Sequence, residues 1–173
     1  SPAGAAPARR QGHVLTYDSR SNQMTVFGGC CGTLGDLWTL DNANGQGGTP
    51  AWRERFPVGE NPGPRETYAW GYDQDTDQIV LFGGSSYTYN PYGSSFNDVW
   101  VLKNVNGAGT PAWVNALVND ATGAPPRPQN SHAVGVYDGV RKRLIAISPN
   151  TELWVFQRPL PVILVHGYAS DPT

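Results

Sequence analysis

Tyr72-Asp73, then Ile79-Val80-Leu81-Phe82-Gly83-Gly84, then Asp98-Val99-Trp100 is the stretch that decides the fold, because it recurs. An earlier copy reads Tyr17-Asp18, Met24-Thr25-Val26-Phe27-Gly28-Gly29, Asp36-Leu37-Trp38. A later and worn copy reads Tyr137-Asp138, Leu144-Ile145-Ala146-Ile147, Glu152-Leu153-Trp154. A further segment, Thr49-Pro50-Ala51-Trp52, returns as Thr110-Pro111-Ala112-Trp113. Self-similarity at such a long period marks a repeat architecture, in which each copy is one supersecondary unit. The spacing varies only in the connections, as loops vary on a fixed scaffold.

Each copy reads as four short strands. Copy one places them over residues 12–18, 23–28, 36–40 and 51–55, and copy two over 66–73, 78–83, 98–102 and 112–117. Val, Ile, Thr, Tyr, Phe and Trp fill these runs, while Gly, Asn, Asp and Pro fill the gaps. Ile79-Val80-Leu81-Phe82 is apolar at every position, which fits an inner strand covered on both faces. Gly28-Gly29 and Gly83-Gly84 suit backbone that turns through positive φ or meets other backbone closely. No window sustains the helical period, so the class is all-β.

Tyr-Asp, an apolar strand ending in Phe-Gly-Gly, Asp-Leu/Val-Trp and a later Trp together resemble Kelch repeats. In that family one repeat forms one four-stranded antiparallel blade of a β-propeller, and the blades surround a central channel. The resemblance implies three blades, over about residues 12–56, 66–117 and 131–157. It also implies structural roles for the motif residues. Phe27 and Phe82 would fill blade interfaces, Gly28, Gly29, Gly83 and Gly84 would allow close approach, and Trp38, Trp100 and Trp154 would anchor third strands. The third copy departs from the pattern: Ser148-Pro149 stands where Gly-Gly is expected and Glu152 replaces Asp, as in a terminal repeat.

The 173 residues fit one domain. Only 15% are charged, with 21 Gly and 15 Pro, which favours strands and turns. The formal net charge is −2 and the Lys residues are Lys103 and Lys142, so a nucleic-acid partner is not expected. No apolar run is long enough to span a bilayer as a helix. The Pro/Ala-rich arm of residues 1–11 opens like a mature terminus after signal removal, and the low Lys content suits a secreted protein of bacterial type. Such an arm needs something to hold it, either its own blades or a neighbouring subunit.

Candidate sites are few. Cys30-Cys31 is a candidate vicinal disulfide, with free thiols or a bond to another chain as alternatives. Asp73-x-Asp75-x-Asp77 imitates the start of a calcium loop but lacks its Gly and distal Glu, and reads as a hairpin turn. No metal and no cofactor are expected. The insertion from Ser85 to Phe96 carries Tyr87, Tyr89, Tyr92 and Phe96 among Ser, Gly and Asn, the composition of a loop that binds protein or glycan. His13 and His132 stand at different offsets from their Tyr and read as hydrogen-bonded strand residues. Galactose oxidase shares the Kelch-type fold, but its Tyr–Cys cross-link and Tyr/His ligand pattern find no match here.

The tail, residues 158–173, contains Val162-Ile163-Leu164-Val165-His166-Gly167. This run resembles the first strand and His-Gly oxyanion loop of lipase-like α/β-hydrolases, which would make the chain an accessory region of an esterase. No Gly-x-Ser-x-Gly elbow occurs in it, so no complete catalytic set is present. The other reading gives residues 162–166 to blade three as its fourth strand, or to a neighbour's exposed edge. Propellers close with about four to eight blades. Three blades therefore leave open faces, to be covered by another copy in a ring or filament, or by further blades of a longer chain.

Overall fold

The computed structural model describes residues 1–30, 34–66, 68–86, 94–107, 109–122, 124–125, 127, 133–147 and 153–157, and the backbone of 163–167. No helix occurs among them. Three antiparallel four-stranded sheets follow one another along the chain. The first contains β1 (Val14–Asp18), β2 (Gln23–Phe27), β3 (Leu37–Asp41) and β4 (Ala51–Arg55). The second contains β5 (Ala69–Asp73), β6 (Gln78–Ser86), β7 (Ser94–Lys103) and β8 (Ala112–Leu117). The third contains β9 (Val134–Asp138), β10 (Arg143–Ile147), β11 (Leu153–Gln157) and β12 (Ile163–Gly167). In every sheet the strands lie in chain order, each paired with the next.

Side chains alternate across a strand, so each blade has two faces. Register puts Leu15, Val26 and Trp38 on one face of blade one, here the leading face, with Tyr17, Met24, Leu40 and Trp52. The trailing face carries Val14, Phe27 and Leu37. That trailing face packs on the leading face of blade two, which supplies Trp70, Ile79, Leu81, Trp100, Leu102 and Trp113. The trailing face of blade two, with Ala69, Val80, Phe82 and Val99, packs in turn on Leu144, Ala146, Trp154 and Phe156 of blade three. Phe27 meets Trp113 at 5.0 Å between ring centroids, and Phe82 meets Phe156 at 4.7 Å. Both Phe rings are fully buried, a burial that stabilises by roughly 1.5–3 kcal/mol each.

Among the described residues, two faces do not pack on another blade. The leading face of blade one belongs to neither core cluster, and its inner end is open: Leu15 is 54% and Tyr17 43% exposed. The trailing face of blade three is open too, with Val134 64% and Val136 63% exposed.

Three features differ from, or decide between, the sequence readings. The insertion after the second Gly-Gly is not a loop from Ser85 to Phe96. β6 runs on through Ser86 and β7 starts at Ser94, with Gly84 opposite Phe96, Ser85 opposite Ser95 and Ser86 opposite Ser94. The extension forms because Ser85 and Glu66 exchange two backbone hydrogen bonds, which anchors an otherwise weak Gly-Ser strand. The N-terminal arm is held by its own blade, since Ala3 donates to Pro50 O at 2.7 Å and accepts from Trp52 N at 2.9 Å. Val58 repeats both bonds beside β8, to Pro111 and from Trp113. In blade three, β12 pairs with β11 as the fourth strand, placing His166 opposite Trp154 and Gly167 opposite Leu153.

Candidate functional site

The inner strands β1, β5 and β9 line one side of the assembly. Between them lies an open groove of about 490 Å³ walled by Leu15, Tyr17, Trp70, Tyr72, Val136 and Tyr137. Blades two and three come closest here. A Cβ on Gly135 would stand 2.8 Å from Ala69 Cβ, and one on Gly71 would stand 2.8 Å from Tyr137 Cβ. Trp70 occupies the position that Gly135 holds in blade three, and it fills the wider gap toward blade one. Its Nε1 is buried with no hydrogen-bond partner among the described residues. The groove therefore offers aromatic surface, which is suited to protein or glycan contacts.

One rim of this groove is a row of hairpin turns. Asp18 accepts from Arg20 N, Ser21 Oγ and Gln74 Nε2, the last from the next blade. Asp73 accepts from Asp75 N, Thr76 Oγ1 and Lys142 Nζ, again the last from the next blade. Arg20 reaches Asp75 at 2.6 Å, and Lys142 also pairs with Asp75. Burial pushes both the Asp18 and Asp73 carboxyls up, but these donors outweigh it and hold them below the ordinary carboxylate value. Tyr72 joins the row. Its hydroxyl donates to Asp77 Oδ1 of its own turn at 3.1 Å and lies near Asp18 of blade one. Burial, then the two carboxylates, drive the Tyr72 phenol well above its usual value. Asp73, Asp75 and Asp77, the residues of the calcium-like string, thus spend their oxygens on protein donors.

Away from the groove, beyond the other end of β1 and β5, lies an arrangement that sequence reading missed. Arg65 forms a two-pronged ion pair with Asp98, at 2.8 and 3.1 Å, and donates to Gly83 O at 2.9 Å and to Pro62 O. Its guanidinium lies 4.3 Å from the Phe96 ring centroid. Asp98 also accepts from Trp100 Nε1 at 2.7 Å. Arg10 repeats the pattern in blade one, with Asp36 at 2.7 and 2.8 Å and Gly28 O at 3.1 Å, and Asp36 accepts from Trp38 Nε1. Burial raises the Asp36 carboxyl, and Arg10 and Trp38 bring it below its ordinary value. The first Gly, the Asp-x-Trp and the Arg are one unit. The signal was present: each Arg stands seven residues before the Tyr of its Tyr-Asp. Asn130 holds that place in the third copy, and Arg127 pairs instead with Asp120.

The remaining candidates separate. Phe96 belongs to β7, where its ring faces the Arg65 guanidinium. Tyr87, Tyr89, Tyr92, Cys31 and His132 lie outside the described residues, and with Cys31 the disulfide reading does too. Cys30 N donates to Gln11 O at 2.8 Å. His13 stands where blade two has Tyr68, whose hydroxyl donates to Phe27 O across the blade interface at 2.7 Å. The Nδ1 of His13 is buried without a partner among the described residues. Gly28 has φ +62°, and a Cβ there would stand 2.7 Å from Tyr68 Oη, so close approach at the blade junction does require glycine. No helix of the described residues is long and apolar enough to cross a membrane.

Comparison with known proteins agrees with this geometry. The chain is similar to the solved structure of YjhT with a TM-score of 0.63 and 13% identity, over 97% of this chain and 48% of that one. It thus spans about half the length of that relative. The family model of the KLHDC2/KLHL20/DRC7 Kelch-repeats domain matches residues 1–154. Domains of this kind generally mediate protein–protein interaction. The chain belongs to the Kelch-repeat family.

Proposed function

We propose that this chain is a secreted Kelch-type binding module that becomes whole by assembling with a copy of itself, and that it carries no catalysis of its own. The observation behind the assembly is the pair of open faces. Within the chain, a trailing face always meets the leading face of the next blade. One leading face, on blade one, and one trailing face, on blade three, are left over. Each bares apolar side chains at its inner end: Leu15 and Tyr17 on one, Val134 and Val136 on the other. Two copies joined trailing to leading at both ends would give six blades, within the range in which propellers close. The same pairing repeated without closure would build a filament.

The groove along β1, β5 and β9 is the surface offered to a protein or glycan ligand, and the ring would complete its wall. The absence of catalysis is supported by what the buried and half-buried carboxylates do. Asp18, Asp36, Asp73 and Asp98 each hold a turn, an Arg or a Trp rather than pointing at an open site. Secretion rests on the composition of the first residues and on the scarcity of Lys.

Light scattering across a concentration series tests the assembly. The expected mass at micromolar concentration is twice the 18.7 kDa of one chain. Mass that climbs steadily with concentration indicates the filament, and a monomer throughout overturns the proposal.

A further inference from the structure

The junction between blades one and two is apolar only in part. Residues directly opposite each other on paired strands share a face. The trailing face of blade one therefore carries not only Phe27 and Leu37 but also Gln23, Thr25, Thr39, Asp41, Arg53 and Arg55. Blade two holds Val80, Val101, Val114 and Leu117 where blade one has Thr25, Thr39, Arg53 and Arg55. The second junction is thus built dry and the first is not. Polar groups set between blades cost free energy unless something bonds to them.

The polar part of the first junction borders a cleft of about 580 Å³. Its walls are Gln23 and Asp41 of β2 and β3, Arg53 and Arg55 of β4, and Asn106 and Gly107 from the loop between β7 and β8. The volume lies in the range of small-ligand pockets, about 300–1,000 Å³. Gly107 keeps the cleft open, since a Cβ there would stand 3.3 Å from the Arg55 guanidinium and 3.5 Å from Gln23 Nε2. Glu54 also borders it, but lies opposite Trp38 on the other face of the sheet.

Two groups in the cleft are not satisfied by the protein. Gln23 is 7% exposed, and its Nε2 donates to Asp41 Oδ1 at 2.9 Å. An ionised carboxylate only accepts, so Asp41 fixes the amide this way round. The other end, Gln23 Oε1, is buried and has no partner among the described residues. Arg53 takes the second oxygen of Asp41. Arg55 is half-buried, and no carboxylate among the described residues pairs with it. Its hydrogen bond to Gly109 O is long, at 3.4 Å.

We propose that this cleft binds a small hydroxy-carboxylate, of the kind a uronate sugar carries. The carboxylate lies against the Arg55 guanidinium, and a neighbouring hydroxyl donates to Gln23 Oε1. Each half of the ligand answers one unsatisfied group. A guanidinium fork matches the two oxygens of a carboxylate. The amide oxygen needs a donor, which acetate and sulfate lack. With Arg53 spent on Asp41, the face keeps one uncompensated positive charge, which favours an anion over a zwitterion or a neutral sugar. The site is separate from the groove along β1, β5 and β9 and does not depend on how copies assemble.

The test is an NMR titration of the isotope-labelled chain with glucuronate, acetate and glucose. Glucuronate is expected to give saturable shifts at the Gln23 side-chain amide, the Arg55 Nε–H and the Gly107 amide. Acetate lacks the hydroxyl and glucose the carboxylate, and each is expected to bind about tenfold more weakly or worse. Arg55→Gln and Gln23→Met are each expected to weaken glucuronate binding by about tenfold, as for a lost hydrogen bond to a charged or buried group. Arg9→Gln removes an exposed arginine outside the cleft and is expected to bind as wild type, which controls for charge alone. An oligouronate that binds as tightly as glucuronate supports the proposal with a polysaccharide as the source, and one that binds more weakly supports it with the free sugar acid. Acetate binding as well as glucuronate, shifts that do not saturate, or shifts that miss Gln23 and Arg55 overturn it. The comparison of probes uses the unaltered chain, so it decides the matter even where a variant fails to fold.

Discussion

Arg65 and Arg10 make the same bonds in different amounts of water, and that difference sets what their loss should do. The Arg65 side chain is 2% exposed and that of Asp98 4%, whereas Asp36, the partner of Arg10, is 24% exposed. Removing Arg65 strands a carboxylate out of reach of solvent, along with the carbonyls of Gly83 and Pro62. Arg65→Ala should therefore destabilise by about 3–5 kcal/mol. Arg65→Lys should recover little of this, since an ammonium cannot span both Asp98 oxygens or lie flat against Phe96. Arg10→Ala leaves Asp36 within reach of water and should cost about 1–3 kcal/mol. Urea unfolding of the three variants, compared at constant m-value, checks both the sizes and the order.

At the level of strands and blades, the close contact of β5 with β9 depends on two residues that lack a side chain. Gly135→Ala would press a methyl group against Ala69, and the inner strands would have to part. The expected loss is about 1–3 kcal/mol, as for other overpacked cores, read from the shift of the thermal midpoint. This level is also where the sequence was most and least legible. The inner three strands of each copy carry β-branched and aromatic runs closed by Asp turns or Gly-Gly, so their pattern alone identifies them. The extension of β6 and β7 escaped because Gly-Gly-Ser-Ser carries no such pattern. Its pairing is decided by Glu66, nineteen residues away in sequence, through the bridge to Ser85. The Arg–Asp–Trp units escaped for another reason: one of the three copies has Asn130 in place of the Arg, so comparing all three hides what two of them share. The arm that precedes blade one could not be placed from its Pro/Ala composition, because what holds it is backbone pairing.

For the molecule as a whole, the pH range of stability follows from groups at the blade junctions. Asp18, Asp36 and Asp73 have folded values below the ordinary 3.8, so the native state binds fewer protons than the unfolded chain as acid is added. Their contribution is complete above about pH 4 and is lost as pH falls through the depressed folded values. Tyr68 and Tyr72 have the opposite sense. Burial raises both above 10.0, so their contribution is complete below that value and drains away as alkali ionises the unfolded chain first. A melting series by circular dichroism should show a plateau from about pH 5 to 9, with falling midpoints on both sides. A midpoint that stayed flat down to pH 2 would mean the carboxylate row contributes nothing to holding the blades together.

The arm beside β4 has a consequence for how the molecule meets other strands. Ala3 runs parallel to Ala51, as Val58 runs parallel to Ala112, so the incoming polypeptide hems the outer border of the blade it is about to form. A bare border is a row of amide hydrogens and carbonyls that recruits any extended peptide nearby. The hem of blade two is joined to β4 before it and β5 after it, and that of blade one leads into β1. A cut between Ala3 and β1 would let that hem leave β4, and the bared rim would be able to thicken sideways into sheets.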